Sequence, residues 1–324
     1  MKKTKRFYIT FAVSLFLVAI TLVFGTIYDL QISNALADLT EGSYHSQNLY
    51  AIIFECVGED VLYLLLLCAF EILFFYFLRN SLRKKWVTVS LLVILCVCSV
   101  VCAFYGLNKT LGYICDYTSF GLDDFVASTL GKVAILGFST IISFVIFLLF
   151  GKIKNETIVS LSGFALAVLI VAALSNGIVQ GSKLIFDRAR YRSMVYEGYT
   201  NFEYYTNWFV INTNKFSSIS AFSSEYFKSF PSGHTCAAAS IFLLILLPDF
   251  LQKTNTKKWK VTFYSVAIIY TLAVSISRIV AGAHFFTDVF IGGMVTIALV
   301  IIVKWFFVER LKFLKEKTLL TKIK

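Results

Sequence analysis

The sequence predicts an all-α fold, a polytopic membrane bundle of about eight transmembrane helices, and three observations carry that prediction. Of the 324 residues 58% are hydrophobic and 17% aromatic, and only 15% are charged, against roughly 25% in soluble domains. The apolar residues fall into long runs parted by short polar stretches. Lysine and arginine gather in alternate gaps between those runs, as membrane topology requires. Two prolines in the whole chain exclude a proline-rich linker, and there is no low-complexity block or fixed-period repeat.

Residues 7–28 carry no charge and follow Met-Lys-Lys-Thr-Lys-Arg. They are long enough to span a bilayer, which takes about 20 apolar residues, and too long for a signal-peptide core. Residues 61–78 form a second run, interrupted only by Glu71, which is expected to face the bundle interior and find a partner there. Residues 86–107 and 133–150 make the third and fourth spans, and residues 157–182, with Asn176 and Gln180 near their end, the fifth. Residues 235–248, 261–277 and 289–308 make the last three, with Lys304 able to snorkel. These three are short, and their ends are where His234, Arg278, His284 and Asp288 stand.

Alternating eight spans puts both termini on one side. The five segments on that side carry 4, 4, 2, 4 and 7 lysines and arginines, 21 of the chain's 30, so both termini are expected in the cytoplasm of a cell-membrane protein. The acidic residues Asp38, Glu41, Glu55, Glu59, Asp60, Asp116, Asp123 and Asp124 all fall in predicted outer loops. The net charge of +11 is therefore topological, and no nucleic-acid partner is expected because no basic stripe alternates with stacking aromatics. Of seven cysteines, Cys68, Cys96, Cys98 and Cys102 lie inside apolar runs as small hydrophobes, and there is no Cys-x-x-Cys for zinc. Cys56 and Cys115 fall on the same predicted side, which permits a disulfide.

Three polar constellations converge on the outer side. Lys183-Leu-Ile-Phe-Asp-Arg-Ala-Arg190-Tyr-Arg192 groups guanidinium side chains that suit either a phosphate or a lipid-headgroup rim. Phe230-Pro231-Ser232-Gly233-His234 reads as a helix start with Ser232 as N-cap, open to an anion or no more than an ordinary capped helix. Ser277-Arg278-Ile-Val-Ala-Gly-Ala-His284-Phe-Phe-Thr-Asp288 places His284 and Asp288 four apart, on one helical face and within reach of each other. Such a pair is a nucleophile or base with its orienting carboxylate, or a hydrogen-bonded core pair.

Taken together these residues resemble the type 2 phosphatidic-acid phosphatase family, the membrane relatives of bacterial acid phosphatases and vanadium haloperoxidases. The family pattern is Lys-x6-Arg-Pro, then Pro-Ser-Gly-His, then Ser-Arg-x5-His-x3-Asp; the chain matches in order and spacing and departs at Tyr191, where proline is usual. The resemblance covers roughly residue 183 to the end of span eight. It implies that His284 attacks phosphorus with Asp288 holding its imidazole, and that His234 protonates the leaving oxygen. It also implies that Lys183, Arg190, Arg278, Ser232 and the Gly233 N–H hold the phosphate oxygens, with no cofactor and no metal. On this reading residues 1–156 are four N-terminal spans, 157–308 a catalytic membrane core of four spans, and 309–324 a basic cytoplasmic tail.

The expected function is hydrolysis of a membrane lipid phosphate at the outer face: phosphatidic acid, phosphatidylglycerophosphate or undecaprenyl diphosphate. A lipid-linked phosphotransferase would use the same phosphohistidine. Two histidines and an aspartate also resemble a facial metal triad, but Lys183, Arg190 and Arg278 at the same place would repel a divalent ion. A transporter or binding protein would leave the histidine pair unexplained. The loop 191–229, with Tyr196, Tyr199, Tyr204, Tyr205, Trp208 and Phe209, reads as an interfacial aromatic belt or a lipid entrance. His45 is expected to be exposed and unpartnered, and the sequence says nothing of oligomeric state.

Overall fold

The computed structural model describes residues 2–40, 43–80, 82, 84–118, 122–196, 202–212, 224–251 and 256–310. Tyr199 of the aromatic loop and residues 311–324 of the expected basic tail lie outside them. The described residues are helical with no strand, and eight segments are long and apolar enough to cross a membrane, so the chain is a multi-pass membrane protein.

Helix α1 (Lys2–Leu36) runs past the predicted end of span one and carries Asp29 on its extension. The second span is two helices, α2 (Leu49–Val57) and α3 (Asp60–Arg79), meeting at Gly58 and Glu59. This corrects the expected outer loop there: Glu55 is buried at 2% exposure, and Glu59 is close to buried. Asn48 caps α2 through its side chain, which accepts from Tyr50 N and Ala51 N and starts the helix early. Then come α4 (Lys85–Cys115), short α5 (Leu122–Ala127), α6 (Thr129–Gly151), α7 (Asn155–Phe186) and short α8 (Tyr191–Tyr196).

The sixth span is compound: α9 (Gly233–Ala239), a 3-10 stretch (Ser240–Leu246) and α10 (Leu247–Phe250). It is the most buried of the eight, because its small residues Ala237, Ala238, Ala239 and Ser240 let neighbours approach closely. Helices α11 (Thr256–Val280) and α12 (Phe286–Lys304) flank it and complete the bundle. One core joins Leu65, Ala69 and Ile72 of α3 to Phe164, Val168 and Val171 of α7 and to Leu243 and Leu246 of the sixth span. The ends of α1, α4, α7 and α11 and the starts of α9 and α12 lie where the unusual polar residues gather.

Glu71 meets the expectation of an interior partner. Buried at 3% exposure, it accepts from Ser99 Oγ of α4 at 2.5 Å and lies 3.4 Å from Ser143 Oγ of α6. The two serines also bond each other at 2.6 Å. This clasp ties three spans where hydrocarbon offers no other partner. Cys56 and Cys115 are buried free thiols, so the disulfide that the topology permits is not formed. Replacing Glu71 by Ala removes the shared acceptor and should lower stability by about 1 kcal/mol, whereas Glu71→Gln keeps an acceptor for Ser99. Thermal unfolding in detergent reads both; an unchanged Tm for Glu71→Ala would exclude the clasp.

Candidate active site

The end of α7 sets the first group of side chains. Asp187 adopts the left-handed conformation at φ 43°, which ends the helix at a residue type that tolerates it. The following residues are fixed by main-chain bonds: Arg190 N donates to Tyr226 O at 2.8 Å, Arg192 N to Gly282 O at 2.8 Å, and Ser229 N to Arg188 O at 3.0 Å. Arg190 therefore keeps a fixed backbone without the family's proline, and Tyr191 packs instead against Phe202 and Phe285.

The α11–α12 connection sets the second. Gly282 takes φ +61°, and an added Cβ would also press on Arg192 Cβ at 3.1 Å. This turn folds the loop back so that Arg278 O accepts from Ala283 N at 3.1 Å and His284 N at 3.3 Å. His284 is thus held outside both helices, above Arg278.

The site contains a cavity of about 530 Å³ lined by Lys183, Arg190, Gly233, His234, Arg278 and His284, six of the eight expected residues. Ser232 and Asp288 are not on its wall. Ser232, expected on a phosphate oxygen, is fully buried; its hydroxyl accepts from Thr235 N at 3.4 Å as the cap of α9, and its N–H donates to Asp288 O at 3.0 Å. Gly233 is the residue facing inward, since a Cβ there would sit 3.5 Å from Lys183 Nζ.

Asp288 also differs from the expected contact. His284 Nδ1 lies 2.6 Å from Ser229 O, while Asp288 Oδ2 is 4.0 Å away, beyond hydrogen-bond distance. The helical spacing does not bring the pair together because His284 precedes α12. Asp288 acts one step back: Oδ2 accepts from Ser229 Oγ at 2.5 Å and Phe285 N at 2.9 Å, and Oδ1 accepts from Arg188 Nη1 at 2.5 Å. A carbonyl can only accept, so Nδ1 of His284 carries the proton and its other nitrogen holds the lone pair. Burial, then the nearby Arg190, Arg278 and Lys183, hold its pKa well below the ordinary value, so the ring is neutral.

Three carboxylates that the motifs do not contain complete the site. Glu59 Oε1 meets His234 Nδ1 at 2.9 Å and its other oxygen accepts from Lys109 of α4. His234 Nε2 lies 3.1 Å from Glu55 O, so acceptors face both ring nitrogens, an arrangement that suits the doubly protonated ring. Glu55 Oε1 accepts from Arg278 Nη2 at 2.9 Å and Arg192 Nη1 at 3.3 Å, and Oε2 accepts from Tyr117 at 2.5 Å. Burial, then the Glu55 charge, raises the Tyr117 pKa, keeping the phenol a donor. Asp29 of α1 accepts from Arg188 Nη2 at 2.9 Å. His45 is half-buried on the cavity rim, with its ring edge-on to Tyr44 and Tyr117, not exposed as expected.

Arg278 Nε and Nη1, Arg190 Nε and Arg192 Nε are buried without a hydrogen-bond partner among the described residues. Such donors suit an anion. No group of three His, Cys, Asp or Glu side chains converges as a metal site among the described residues.

Residues 163–312, from α7 through α12, match the family model of the PAP2 superfamily. Phosphatidylglycerophosphatase B of Bacillus subtilis (strain 168) is 37% identical over 89 residues, which are 28% of this chain and 43% of that protein. The chain thus matches less than half the length of that relative. No solved structure matches it.

The two neighbouring arginines should separate sharply in stability. Arg188, 1% exposed between Asp29 and Asp288, leaves two buried carboxylates unpaired when removed, a loss of about 3–5 kcal/mol. Arg190 lies 3.7 Å from the exposed Glu225, and its loss should cost about 1 kcal/mol or less. Thermal unfolding of Arg188→Ala and Arg190→Ala in detergent compares them, and equal Tm values would exclude the buried triad as a structural element.

Proposed function

We propose that the PAP2 superfamily region, with the leading spans around it, acts as a membrane phosphatase. Its substrates are lipid phosphate monoesters or diphosphates, hydrolysed through a phosphohistidine on His284. The observation that carries this reading is the pinned tautomer: Nδ1 is bonded to Ser229 O at 2.6 Å, leaving the other nitrogen of a cavity-lining, neutral imidazole as a nucleophile. Phosphatidic acid, phosphatidylglycerophosphate and undecaprenyl diphosphate remain the candidate substrates, and the matching relative's name favours the second.

The lone pair of His284 attacks phosphorus as the bond to the leaving oxygen breaks. Lys183, Arg190, Arg278 and the Gly233 N–H meet the charge on the non-bridging oxygens with donors already in place. Ser229 O accepts the Nδ1 proton's bond throughout, and the Asp288 carboxylate 4.0 Å away favours the positive charge that develops on the ring. His234 keeps its Nδ1 on Glu59, which supports its charged form, and gives the leaving oxygen the Nε2 proton that otherwise meets Glu55 O. Water then attacks the phosphohistidine, returning its proton to His234 and phosphate to solvent. Each step uses groups of the protein and water, so turnover is expected without added metal, and phosphate release without an acceptor lipid separates hydrolysis from transfer.

The site is proposed to open to the outside, with both termini cytoplasmic, supported by the 21 of 30 basic residues assigned to the terminal side. Glu203 is exposed on the loop beside the site. A Glu203→Cys variant should react with an impermeant thiol reagent in intact cells; labelling only after lysis would reverse the topology.

The two histidines should separate by leaving group. His284→Ala removes the nucleophile and should abolish turnover of a lipid phosphate and of nitrophenyl phosphate alike. His234→Ala removes a proton donor, help worth about 10²–10⁴-fold on a poor alkoxide leaving group and far less on a phenolate. kcat/KM for both variants on both substrates tests this. Retention of nitrophenyl phosphatase activity by His284→Ala would exchange the two roles.

A further inference from the structure

We infer that Asp29, on the first helix and outside the superfamily region, is a positioning residue for the His284 nucleophile. It acts through Arg188 and Asp288, so α1 is a working part of the site. This rests on the phosphohistidine reading above.

The connection is continuous and buried. Asp29, 1% exposed, accepts from Arg188 Nη2 at 2.9 Å and from Thr287 N at 2.9 Å, and the Thr287 hydroxyl also donates to it. Arg188 Nη1 reaches Thr287 Oγ1 at 3.0 Å and Asp288 Oδ1 at 2.5 Å. Asp288 Oδ2 takes the Ser229 hydroxyl at 2.5 Å, and the Ser229 carbonyl holds His284 Nδ1 at 2.6 Å. Phe285 lies face-on to Arg188, 4.2 Å from ring centroid to guanidinium carbon, and Tyr205 at 5.6 Å. Asp29, Arg188, Thr287, Asp288 and Ser229 are all buried, so each charge is set by its neighbours.

Helix α1 is built to make this contact. Gly25 stands one turn before Asp29, and a Cβ there would lie 2.7 Å from Phe286 Cδ1 and 2.9 Å from Thr287 Cγ2. Trp208 Nε1 donates to Thr26 Oγ1 at 2.9 Å, and Asp38 N donates to Val280 O at 2.9 Å. Residues 12–24 of α1 present mostly exposed apolar side chains, so this end is the main attachment among its described residues.

The charge has a consequence for chemistry. Asp29, Arg188 and Asp288 sum to one negative charge behind a ring that must become positive when phosphorylated. His284 otherwise faces cations: Lys183 and Arg190 from the α7 end, Arg278 from α11, with His234 of α9 beyond. Without Asp29 the triad is neutral, and Arg188 turns wholly on Asp288. The nucleophile then loses the net negative charge behind it, while the cavity wall proposed to bind phosphate is untouched.

The test is a double-mutant cycle in purified full-length protein, using Asp29→Asn, Asp288→Asn and the pair on one lipid phosphate. Asn is isosteric and can still accept from Thr287 N, so the variant removes charge with little change in shape. Asp29→Asn should lower kcat about 10–100-fold, the range known for losing a group that orients a metal-ligating imidazole from one step behind it. KM should stay within about twofold, since ground-state binding is unchanged. In the Asp288→Asn background the same substitution should cost little more. An unchanged kcat, or an equal loss in both backgrounds, overturns the inference, because a purely structural role of α1 does not depend on Asp288. If Asp29→Asn does not fold, Thr287→Val removes the hydroxyl shared by Asp29 and Arg188; a several-fold loss in kcat alone is expected, and a wild-type kcat overturns the inference. A wild-type protein that releases no phosphate removes the phosphatase reading, and this inference with it.

Discussion

Arg188 has no exposed surface to speak of, and a guanidinium at that depth persists only where carboxylates meet it. Two do, Asp29 from the first span and Asp288 from the last. Much of the site geometry follows from this ion triad. It brings α1 against the start of α12, anchors residues 187–190 after α7, and leaves one Asp288 oxygen to hold Ser229 and the turn before α12. The histidine is then oriented by a peptide carbonyl, whose position is fixed by a carboxylate and an arginine behind it. A direct His–Asp hydrogen bond would place the carboxylate charge nearer the ring. The observed arrangement keeps that charge at 4.0 Å and uses a neutral acceptor to select the tautomer.

The fold was legible because membrane spans are written in runs: the eight spans, their order and the gathering of the motifs at one end of them all followed from hydropathy and alternation. Six of eight motif residues line one cavity for the same reason, since each motif sits at a span end. Span ends were less legible. Glu55 and Glu59 looked like loop acids because they precede an apolar run, yet they are one helical turn apart across the α2–α3 junction and face inward. Asp29 is the only charged residue between Arg6 and Asp38, a signal that the cost of intramembrane charge could have flagged. Its partner, Arg188, stood within a recognised cluster and was hidden by its neighbours Lys183 and Arg190, which carry the family pattern. The His284–Asp288 spacing misled in a different way. It is a helical spacing applied to a residue that lies before the helix.

The carboxylates missing from the motifs also explain how so many cations can share one cavity. Lys109, Lys183, Arg190, Arg192 and Arg278 line it together, and like charges at this depth repel strongly. Glu55 lies between Arg192 and Arg278 and takes one nitrogen from each. Glu59 does the same between Lys109 and His234. Both come from the second span, outside residues 163–312 that carry the superfamily match. The leading spans therefore do more than anchor the chain: with Asp29 they supply the negative charge that the C-terminal region lacks at its centre.

That balance leaves a specific remainder. Glu55 occupies Arg278 through Nη2 only, while Nε and Nη1 of the same guanidinium, with Nε of Arg190 and Arg192, are buried and unpartnered among the described residues. A buried donor without an acceptor is costly, by about 1–3 kcal/mol each and more when charged. The guanidinium groups at the cavity thus keep donor capacity that Glu55 does not take up, and on the proposed function a tetrahedral phosphoryl group would be its acceptor. On the proposed reaction, donors held by backbone and carboxylates rather than by the anion itself need little reorganisation when charge shifts.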